Sequence, residues 1–403
     1  MPPTAVVTPR GRARILAGHP WVFRQDIVHG PDDDARTSGP SLVLVTDGQR
    51  RPLAVATWAA EARIGLRVLE RTERTELPEL LDVVDARLGA ALARRGGVAL
   101  DRDAYRVVHG EADGLPGLFV DRYADAAVVQ TTSVAMDAAG AAIAAHVGDR
   151  LAARMVVARD DGSARDFEGL PRRKSVAIGA GATTVVYRLG ANQLETDLLA
   201  DAKTGGFLDQ ADNHALVAAA APRGARCLDA FTYHGGFALA LARRGGAVLA
   251  TDEDPQAVTR ARANAQRNAL PNLEVRQANA FDLLRALESE GSRFDVVVLD
   301  PPAFAKRGRE FGTSARAADA SDRAYKEIIL RGLRLATPAG LVVACSCSGA
   351  VSRAHFDDLC AAAAADSGRL VQIVARHGAG RDHPERAGVP ETGHLKCWFL
   401  RVL

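Results

Sequence analysis

Five short β-rich runs in the second half of the chain, each followed by a turn and then a segment of helical period, predict a parallel doubly wound α/β sheet. The candidate strands are 226–231, 247–251, 273–276, 294–299 and 340–345, and the candidate helices lie near 237–244, 254–268, 280–290 and 322–335. Two late runs, Leu370–Val374 and Lys396–Val402, are expected to close the sheet, one of them as an antiparallel edge. The first half reads differently. Short runs at 42–45, 53–56 and 64–69, separated by Gly, Pro and Asp clusters, predict a small β-barrel. A helical pattern follows, with apolar residues at 77, 80, 81, 84, 88, 91 and 92 and a stop at Gly96-Gly97. Strand-like runs at 118–120, 126–130, 155–158 and 183–187 then surround an Ala-rich helix near 135–152, which suggests a compact α+β insert. The expected division is a barrel over 1–72, an α+β domain over 73–192 and a Rossmann-like α/β domain over 193–403.

Composition narrows the class. A chain of 403 residues needs more than one core, and its 47% apolar and 25% charged content excludes the disordered class. A formal net charge of +2 gives no bulk attraction to nucleic acid, so any such partner must be met by local patches. The five cysteines, at 227, 345, 347, 360 and 397, have no metal-ligand spacing and fit a reduced compartment. No apolar run approaches the roughly 20 residues that span a bilayer. The expectation is a cytoplasmic protein with no membrane partner and no metal, for which a homodimer is compatible with the sequence.

The chemistry gathers at the strand ends. Phe294-Asp-Val-Val-Val-Leu-Asp-Pro-Pro302 and Leu341-Val-Val-Ala-Cys-Ser-Cys-Ser348 are buried-strand runs that finish on a carboxylate and on thiols, and in an open α/β sheet both would face one crevice. Cys227-Leu-Asp-Ala-Phe-Thr-Tyr-His-Gly-Gly-Phe237 sits where the first strand turns into a helix, and Gly235 and Gly236 would let backbone amides approach a ligand. Asp252 ends the second strand, placed for a ribose diol, and Asn279 follows the third, placed for an adenine. With no G-x-G-x-x-G fingerprint, this order favours S-adenosylmethionine over a dinucleotide. Alkylation at carbon 5 of a pyrimidine needs a thiolate added first at carbon 6, with Asp300 assisting at ring nitrogen 3. Cys345 and Cys347 are two apart, so period alone does not choose between them, and either reads equally as a small core residue. Asp300-Pro301-Pro302-Ala303-Phe304 has a rival meaning, because acid-Pro-Pro-aromatic segments also serve methylation of base amino groups without a nucleophile. A non-catalytic RNA-binding assembly factor is the third reading. Elsewhere, His19-Pro20-Trp21 reads as core aromatic or RNA-facing, Asp32-Asp33-Asp34 as a solvated loop rather than a metal site, the Arg172-Arg173-Lys174 run as a solvent face or a contact to RNA phosphates, and His383-Pro384 as a surface loop or an active-site cap.

Taken together, His19-Pro-Trp-Val-Phe23, His109-Gly-Glu-Ala-Asp-Gly-Leu-Pro-Gly117, Lys203-Thr-Gly205, Phe207-Leu-Asp-Gln210, the Asp229 segment, Asp300–Phe304 and Cys345-Ser-Cys-Ser348 resemble the RlmI-type class I ribosomal RNA methyltransferases. The resemblance runs over nearly the whole chain. It implies an N-terminal PUA domain for RNA binding, a small central α+β domain, a C-terminal methyltransferase domain, and methylation of cytosine carbon 5 in large-subunit ribosomal RNA. It assigns the nucleophile to Cys347, with Asp300 beside it. It places Lys203, Thr204, Asp209, Gln210, Asp229, Phe231, Gly235, Gly236, Asp252, Asn279, Ala280 and Asp300 around S-adenosylmethionine, and Pro301, Pro302 and Phe304 on the target base. The chain departs from that pattern at Gly206 for an aromatic residue, Ala211 for arginine, His234 for threonine and Asn279 for aspartate.

Overall fold

Residues 2–31, 42–304 and 315–403 are described by the structure, a computed structural model. The Asp32-Asp33-Asp34 run lies outside them. Six strands at the N-terminus, β1 (Thr4–Val7), β2 (Trp21–Phe23), β3 (Ile27–His29), β4 (Leu42–Thr46), β5 (Pro52–Trp58) and β6 (Ile64–Arg71), form one sheet ordered β2-β6-β5-β4-β1-β3. The three strands visible in the sequence are its longer ones. The other three are too short to show alternation. Helix α1 (Pro9–Leu16) starts on a proline and is capped by Thr8, whose hydroxyl accepts from the Gly11 N–H. Ala5, Val22, Val43, Val45, Ala54, Ala56 and Leu66 fill the barrel without solvent exposure.

Helix α2 (Leu80–Arg94) leads into a five-stranded sheet ordered β11-β10-β9-β8-β7, made of β7 (Ala104–His109), β8 (Leu118–Tyr123), β9 (Ala126–Thr131), β10 (Met155–Asp160) and β11 (Arg173–Ile178). The Ala-rich segment is two helices, α3 (Val134–Ala138) and α4 (Gly140–Leu151), with the break at Ala139. The Arg172–Lys174 run stands exposed at the start of the edge strand β11 with partners in the same chain: Arg172 pairs with Asp166, Arg173 with Asp137 at 2.5 Å, and Lys174 donates to the Leu199 carbonyl at 2.9 Å. A two-stranded sheet, β12 (Thr184–Leu189) and β13 (Asn192–Asp197), follows. The chain divides into two compact units. Unit 1 is Met1–Tyr187 with Asp197–Gly206 and Asp382–Thr392, and unit 2 is Arg188–Thr196 with Phe207–Arg381 and Gly393–Leu403.

Unit 2 begins with α5 (Ala211–Ala220) and alternates β14 (Arg226–Asp229), α6 (Gly236–Ala242), β15 (Ala247–Asp252), α7 (Pro255–Arg267), β16 (Leu273–Gln277), α8 (Ala280–Ser289), β17 (Phe294–Leu299), α9 (Ala315–Leu335), β18 (Ala336–Ser346) and α10 (Arg353–Ser367), before β19 (Val371–His377) and β20 (Lys396–Val402). The order β16-β15-β14-β17-β18-β20-β19 reverses direction of growth between β14 and β17, which is the switch point where such sheets bind ligands. One expectation needs correction. The antiparallel strand is β20, and it lies inside the sheet between β18 and β19. Its Cys397-Trp398-Phe399-Leu400 run is buried throughout, whereas β19 alternates half-buried and exposed positions, so the apolar strand takes the interior place and the amphipathic one the edge. Register brings the strand ends level: Asp229 pairs with Ala250 and Val298, Asp252 with Gln277, and Leu299 with Ala344. Val296, Val297, Val298 and Leu299 are completely buried. At about 1.5–3 kcal/mol for each such side chain, β17 is a firm platform for the Asp300 that follows it.

Candidate active site

The turn after β14 is built by its own hydrogen bonds. The Ala230 N–H donates to Val298 O at 3.1 Å, Thr232 N–H to Thr251 O at 2.8 Å, and Tyr233 N–H to the Asp252 carboxylate at 2.8 Å. Gly235 has φ +93°, a left-handed conformation that favours glycine, and its N–H closes back onto Thr232 O at 2.8 Å. Gly236 is small for a different reason: a Cβ there would stand 2.3 Å from the His214 ring of α5. The two glycines therefore shape the turn and its packing, and the Gly235 amide is already used. Tyr233 stacks on His234 at 3.7 Å and meets Phe207 edge-on at 4.8 Å. His234 is itself buried, and its carbonyl accepts from Asn264 at 3.0 Å.

Asp229 is fully buried beneath this turn and accepts from the Thr232 hydroxyl at 2.8 Å. Burial pushes its carboxyl up to about 7, against the Thr232 hydrogen bond and with the nearby Asp252 charge adding to the rise. Each Asp252 oxygen accepts one backbone N–H, from Tyr233 at 2.8 Å and from Asp254 at 3.0 Å. A carboxylate oxygen accepts about two hydrogen bonds, so this pair keeps capacity for a diol. Asn279 caps α8, its Oδ1 accepting from Phe281 N–H at 3.0 Å and Asp282 N–H at 3.3 Å, while its amide nitrogen lies 3.4 Å from Glu253. With its oxygen engaged by the cap, the group Asn279 has to offer an adenine is a donor. Ala280 is the first, buried residue of α8, and Phe231 packs on the same core.

At the other side of the switch point, β18 ends at Ser346, and this separates the two cysteines. Cys345 is completely buried, directly opposite Cys397 in β20. Burial and the Cys397 thiol push its own thiol well up, which describes an inert core residue. Cys347 lies one residue beyond the strand and is half-exposed. Ser346, between them, donates to the Tyr325 hydroxyl at 3.1 Å. Tyr325 is buried on α9, and burial pushes its hydroxyl up to about 12, with the charges of Cys347 and Asp300 acting in the same direction. Phe304 lies edge-on to Tyr325 at 4.9 Å and 5.9 Å from Phe281. Pro301 is buried and Pro302 exposed.

Two residues at this edge escaped the sequence reading. Tyr325 looked like one more apolar residue of a helix. Lys396, opposite Ser346 in β20, is buried, and its ammonium donates to Ser348 O at 2.6 Å and His394 O at 2.9 Å, which fixes a positive charge beside the loop that carries Cys347. Lysine occurs at only five positions in the chain, and one opening an apolar strand was the available signal.

The remaining expected residues divide between the units. Lys203 and Thr204 belong to unit 1; Lys203 is exposed with φ +52°, and the buried Thr204 hydroxyl donates to Asp121 at 2.7 Å and meets Tyr123 at 3.1 Å. Gly206 belongs there too. Its departure from an aromatic residue has a steric reason, since a Cβ would stand 2.6 Å from the Tyr187 hydroxyl. Asp209 and Gln210 belong to unit 2, both buried; Asp209 bonds His394 at 3.0 Å, and Gln210 accepts from Asn213 at 2.6 Å and lies against the Cys345 thiol. Ala211 is buried at the start of α5, and nothing in the structure explains the missing arginine.

Comparison with known proteins agrees with this geometry. Residues 5–71 match a PUA-like domain family and residues 222–381 a methyltransferase domain family. Full-length relatives decide the matter: ribosomal RNA large subunit methyltransferase I of Aeromonas hydrophila is 34% identical over 406 residues, covering 98% of each chain, and that of Erwinia tasmaniensis is 30% identical over 405 residues, covering 99% of each. The chain belongs to the ribosomal RNA large subunit methyltransferase I family. Two solved structures share the fold over 100% of both chains: a SAM-dependent methyltransferase from Streptococcus mutans, with TM-score 0.80 at 15% identity, and a methyltransferase bound to S-adenosylhomocysteine, with TM-score 0.81 at 16% identity. S-adenosylmethionine is the cofactor of this methyltransferase fold, and the residues present fit it: a strained glycine turn, a carboxylate with spare acceptor capacity at the end of β15, and a capping amide at the start of α8.

Proposed function

We propose that this family member methylates carbon 5 of a cytosine in large-subunit ribosomal RNA, through a covalent bond from Cys347 to carbon 6. The observation that carries the reading is the contrast at the end of β18, where Cys345 is sealed against Cys397 while Cys347 is half-exposed on the loop whose Ser348 carbonyl accepts from the Lys396 ammonium. The three-part division at 1–72, 73–192 and 193–403 goes with it, the first part binding RNA and the last carrying the chemistry in a cytoplasmic setting.

In this reading Lys396 favours the Cys347 thiolate electrostatically. Sγ adds to carbon 6, the C5=C6 pair shifts to carbon 5, and Asp300 shares a proton with ring nitrogen 3 as charge develops. S-adenosylmethionine supplies an electrophilic methyl group and leaves as S-adenosylhomocysteine. The carbon 5 proton is then lost to a base, the electron pair returns to the C5=C6 bond, and the Sγ–C6 bond breaks to free Cys347. Pro301, Pro302 and Phe304 hold the flipped base, while Tyr325 positions Phe304 and Ser346. Asp252 binds the ribose, Asn279 and Ala280 the adenine edge, and the Phe231–Gly236 turn, with Asp229 beneath it, the rest of the cofactor. Asp209 and Gln210 complete the pocket within unit 2.

Nucleoside mass spectrometry on ribosomal RNA lacking the modification, incubated with S-adenosylmethionine and either wild type or Cys347→Ala, tests this. New 5-methylcytidine with wild type alone is expected. A methylated amino nucleoside from both proteins would replace it with amino-group methylation through Asp300–Phe304.

A further inference from the structure

Methyl transfer to carbon 5 leaves one proton in need of an acceptor, the one that carbon 5 already carries. Addition of Sγ and of the methyl group to opposite faces of the C5=C6 bond leaves that proton on the Sγ face, so its base has to stand on the Cys347 side. A general base must also reach the proton directly or through one water and titrate near neutral pH, which favours histidine. Asp229 and His234 are buried in the cofactor turn, and the His214 ring lies against Phe237 at 4.5 Å, across the switch point from Cys347.

His394 stands in the short link that leads into β20, and two sets of contacts tie it to the end of β18. Its carbonyl and that of Ser348, the residue after Cys347, accept from the same Lys396 ammonium at 2.9 and 2.6 Å. Its Nε2 lies 3.0 Å from the Asp209 carboxylate, and Gln210, next in the chain, lies against the Cys345 thiol. The Asp209 side chain is only 4% exposed and that of His394 25%, so the pair has a sealed end and a solvent-facing end. With Nε2–H donating to the carboxylate, Nδ1 is the nitrogen that carries the lone pair. Asp209 fixes this tautomer and offsets the positive charge that forms when Nδ1 takes a proton, a charge that the nearby Lys396 ammonium opposes. A second pair, His355 and Asp322 at 2.9 Å, bridges α10 and α9 instead of returning to the strand end.

We propose that His394, oriented by Asp209, is the base that takes the carbon 5 proton and so frees the methylated cytosine from Cys347. Nδ1 accepts the proton, the C5–H pair becomes the C5=C6 bond, and the Sγ–C6 bond breaks to return the thiolate; the imidazolium then gives its proton to solvent. The inference rests on the carbon 5 reading and names the group that completes it.

Ribosomal RNA lacking the modification and carrying cytidine tritiated at carbon 5, with S-adenosylmethionine labelled with carbon-14 in its methyl group, tests it on the full chain. Wild type is expected to release one tritium for each methyl group transferred. His394→Gln should release tritium roughly 10²-fold more slowly and accumulate a methylated protein–RNA adduct on denaturing gels, while His355→Gln should match wild type. Added imidazole should restore release in His394→Gly, a rescue that a merely structural histidine would not show. S-adenosylmethionine binding and thermal unfolding, read on the same samples, should match wild type. Tritium release at the wild-type rate in His394→Gln, no imidazole rescue in His394→Gly, or the defect appearing in His355→Gln would each overturn the inference. Loss of adduct formation in His394→Gln would overturn it too, by making His394 the activator of the thiol. Methyl transfer by wild type without tritium release would instead overturn the carbon 5 reading, and the inference with it.

Discussion

Unit 1 and unit 2 both bury charge, and they use it in opposite ways. In unit 1 each of the main buried acids is matched. Asp113 takes both guanidinium nitrogens of Arg95, at 2.8 and 2.6 Å, and the His109 N–H at 2.7 Å; Asp121 takes a forked pair from Arg106 at 2.7 and 2.8 Å. Asp382 accepts from the Arg106 N–H at 2.9 Å, and although burial pushes it up, His383, Arg102 and that N–H hold its carboxyl down to about 2. In unit 2 the acid beneath the cofactor turn goes the other way: Asp229 has a hydroxyl partner and a like charge nearby, and rises to about 7. Burial alone therefore does not mark a functional acid. What separates the two is whether a cation was buried with it.

The comparison can be broken most severely at the reacting edge. Cys347→Ala is expected to lower methyl transfer by about 10³-fold or more, while Cys345→Ala, which removes an inert core thiol, should stay within about tenfold of wild type. Radiolabelled methyl transfer under single-turnover conditions measures both, and equal losses would erase the distinction between them. Next in size is a matched acid. Asp382→Ala strands Arg102 and His383 and should destabilise the protein by about 3–5 kcal/mol in urea unfolding. Its linkage has a definite sign: a carboxyl lowered from its ordinary value to about 2 contributes stability that is complete above about pH 4 and lost as pH falls through about 2, on the order of 2 kcal/mol.

Asp229 should show the reverse. Its folded value of about 7 lies above its unfolded one, so the native state binds the extra proton between about pH 4 and 7, and its contribution falls as pH rises through that window. Asp229→Asn is expected to flatten this slope when unfolding is compared at pH 5 and pH 8. A slope as steep as wild type would mean that Asp229 is not the group responsible. The smallest effect is expected at Lys396. Lys396→Met removes the buried cation beside the Cys347 loop and should move the acid limb of the activity–pH profile up by about one unit, with a loss of roughly tenfold at neutral pH. An unmoved limb would assign Lys396 to holding Ser348 and His394 alone.

The two units were also unequally legible. The sheet of unit 2 could be read because its buried strands are continuous β-branched runs, and the acids and thiols stand at their ends. The barrel strands β1, β2 and β3 could not, because three or four residues do not establish a period. The choice between Cys345 and Cys347 was hidden for a related reason. Alternation puts them on one face only while the strand continues, and it stops at Ser346. That Asn279 caps α8, which occupies its oxygen with the Phe281 and Asp282 N–H groups, could not be read from its place after a strand. Tyr325 and Lys396 come from separate elements, 22 and 49 residues from Cys347 in sequence, and meet that edge only through α9 packing and the antiparallel insertion of β20.

The most direct measurement is to trap the bond. Ribosomal RNA carrying 5-fluorocytidine is incubated with the protein and S-adenosylmethionine, and denatured complexes are digested and analysed by mass spectrometry. Fluorine at carbon 5 cannot leave as a proton does, so the Sγ–C6 bond should persist, and the nucleotide should be recovered on the peptide containing Cys347 and be absent in Cys347→Ala. Trapped nucleotide on Cys345, or no adduct from wild-type protein that methylates unsubstituted RNA, would contradict the covalent role of Cys347.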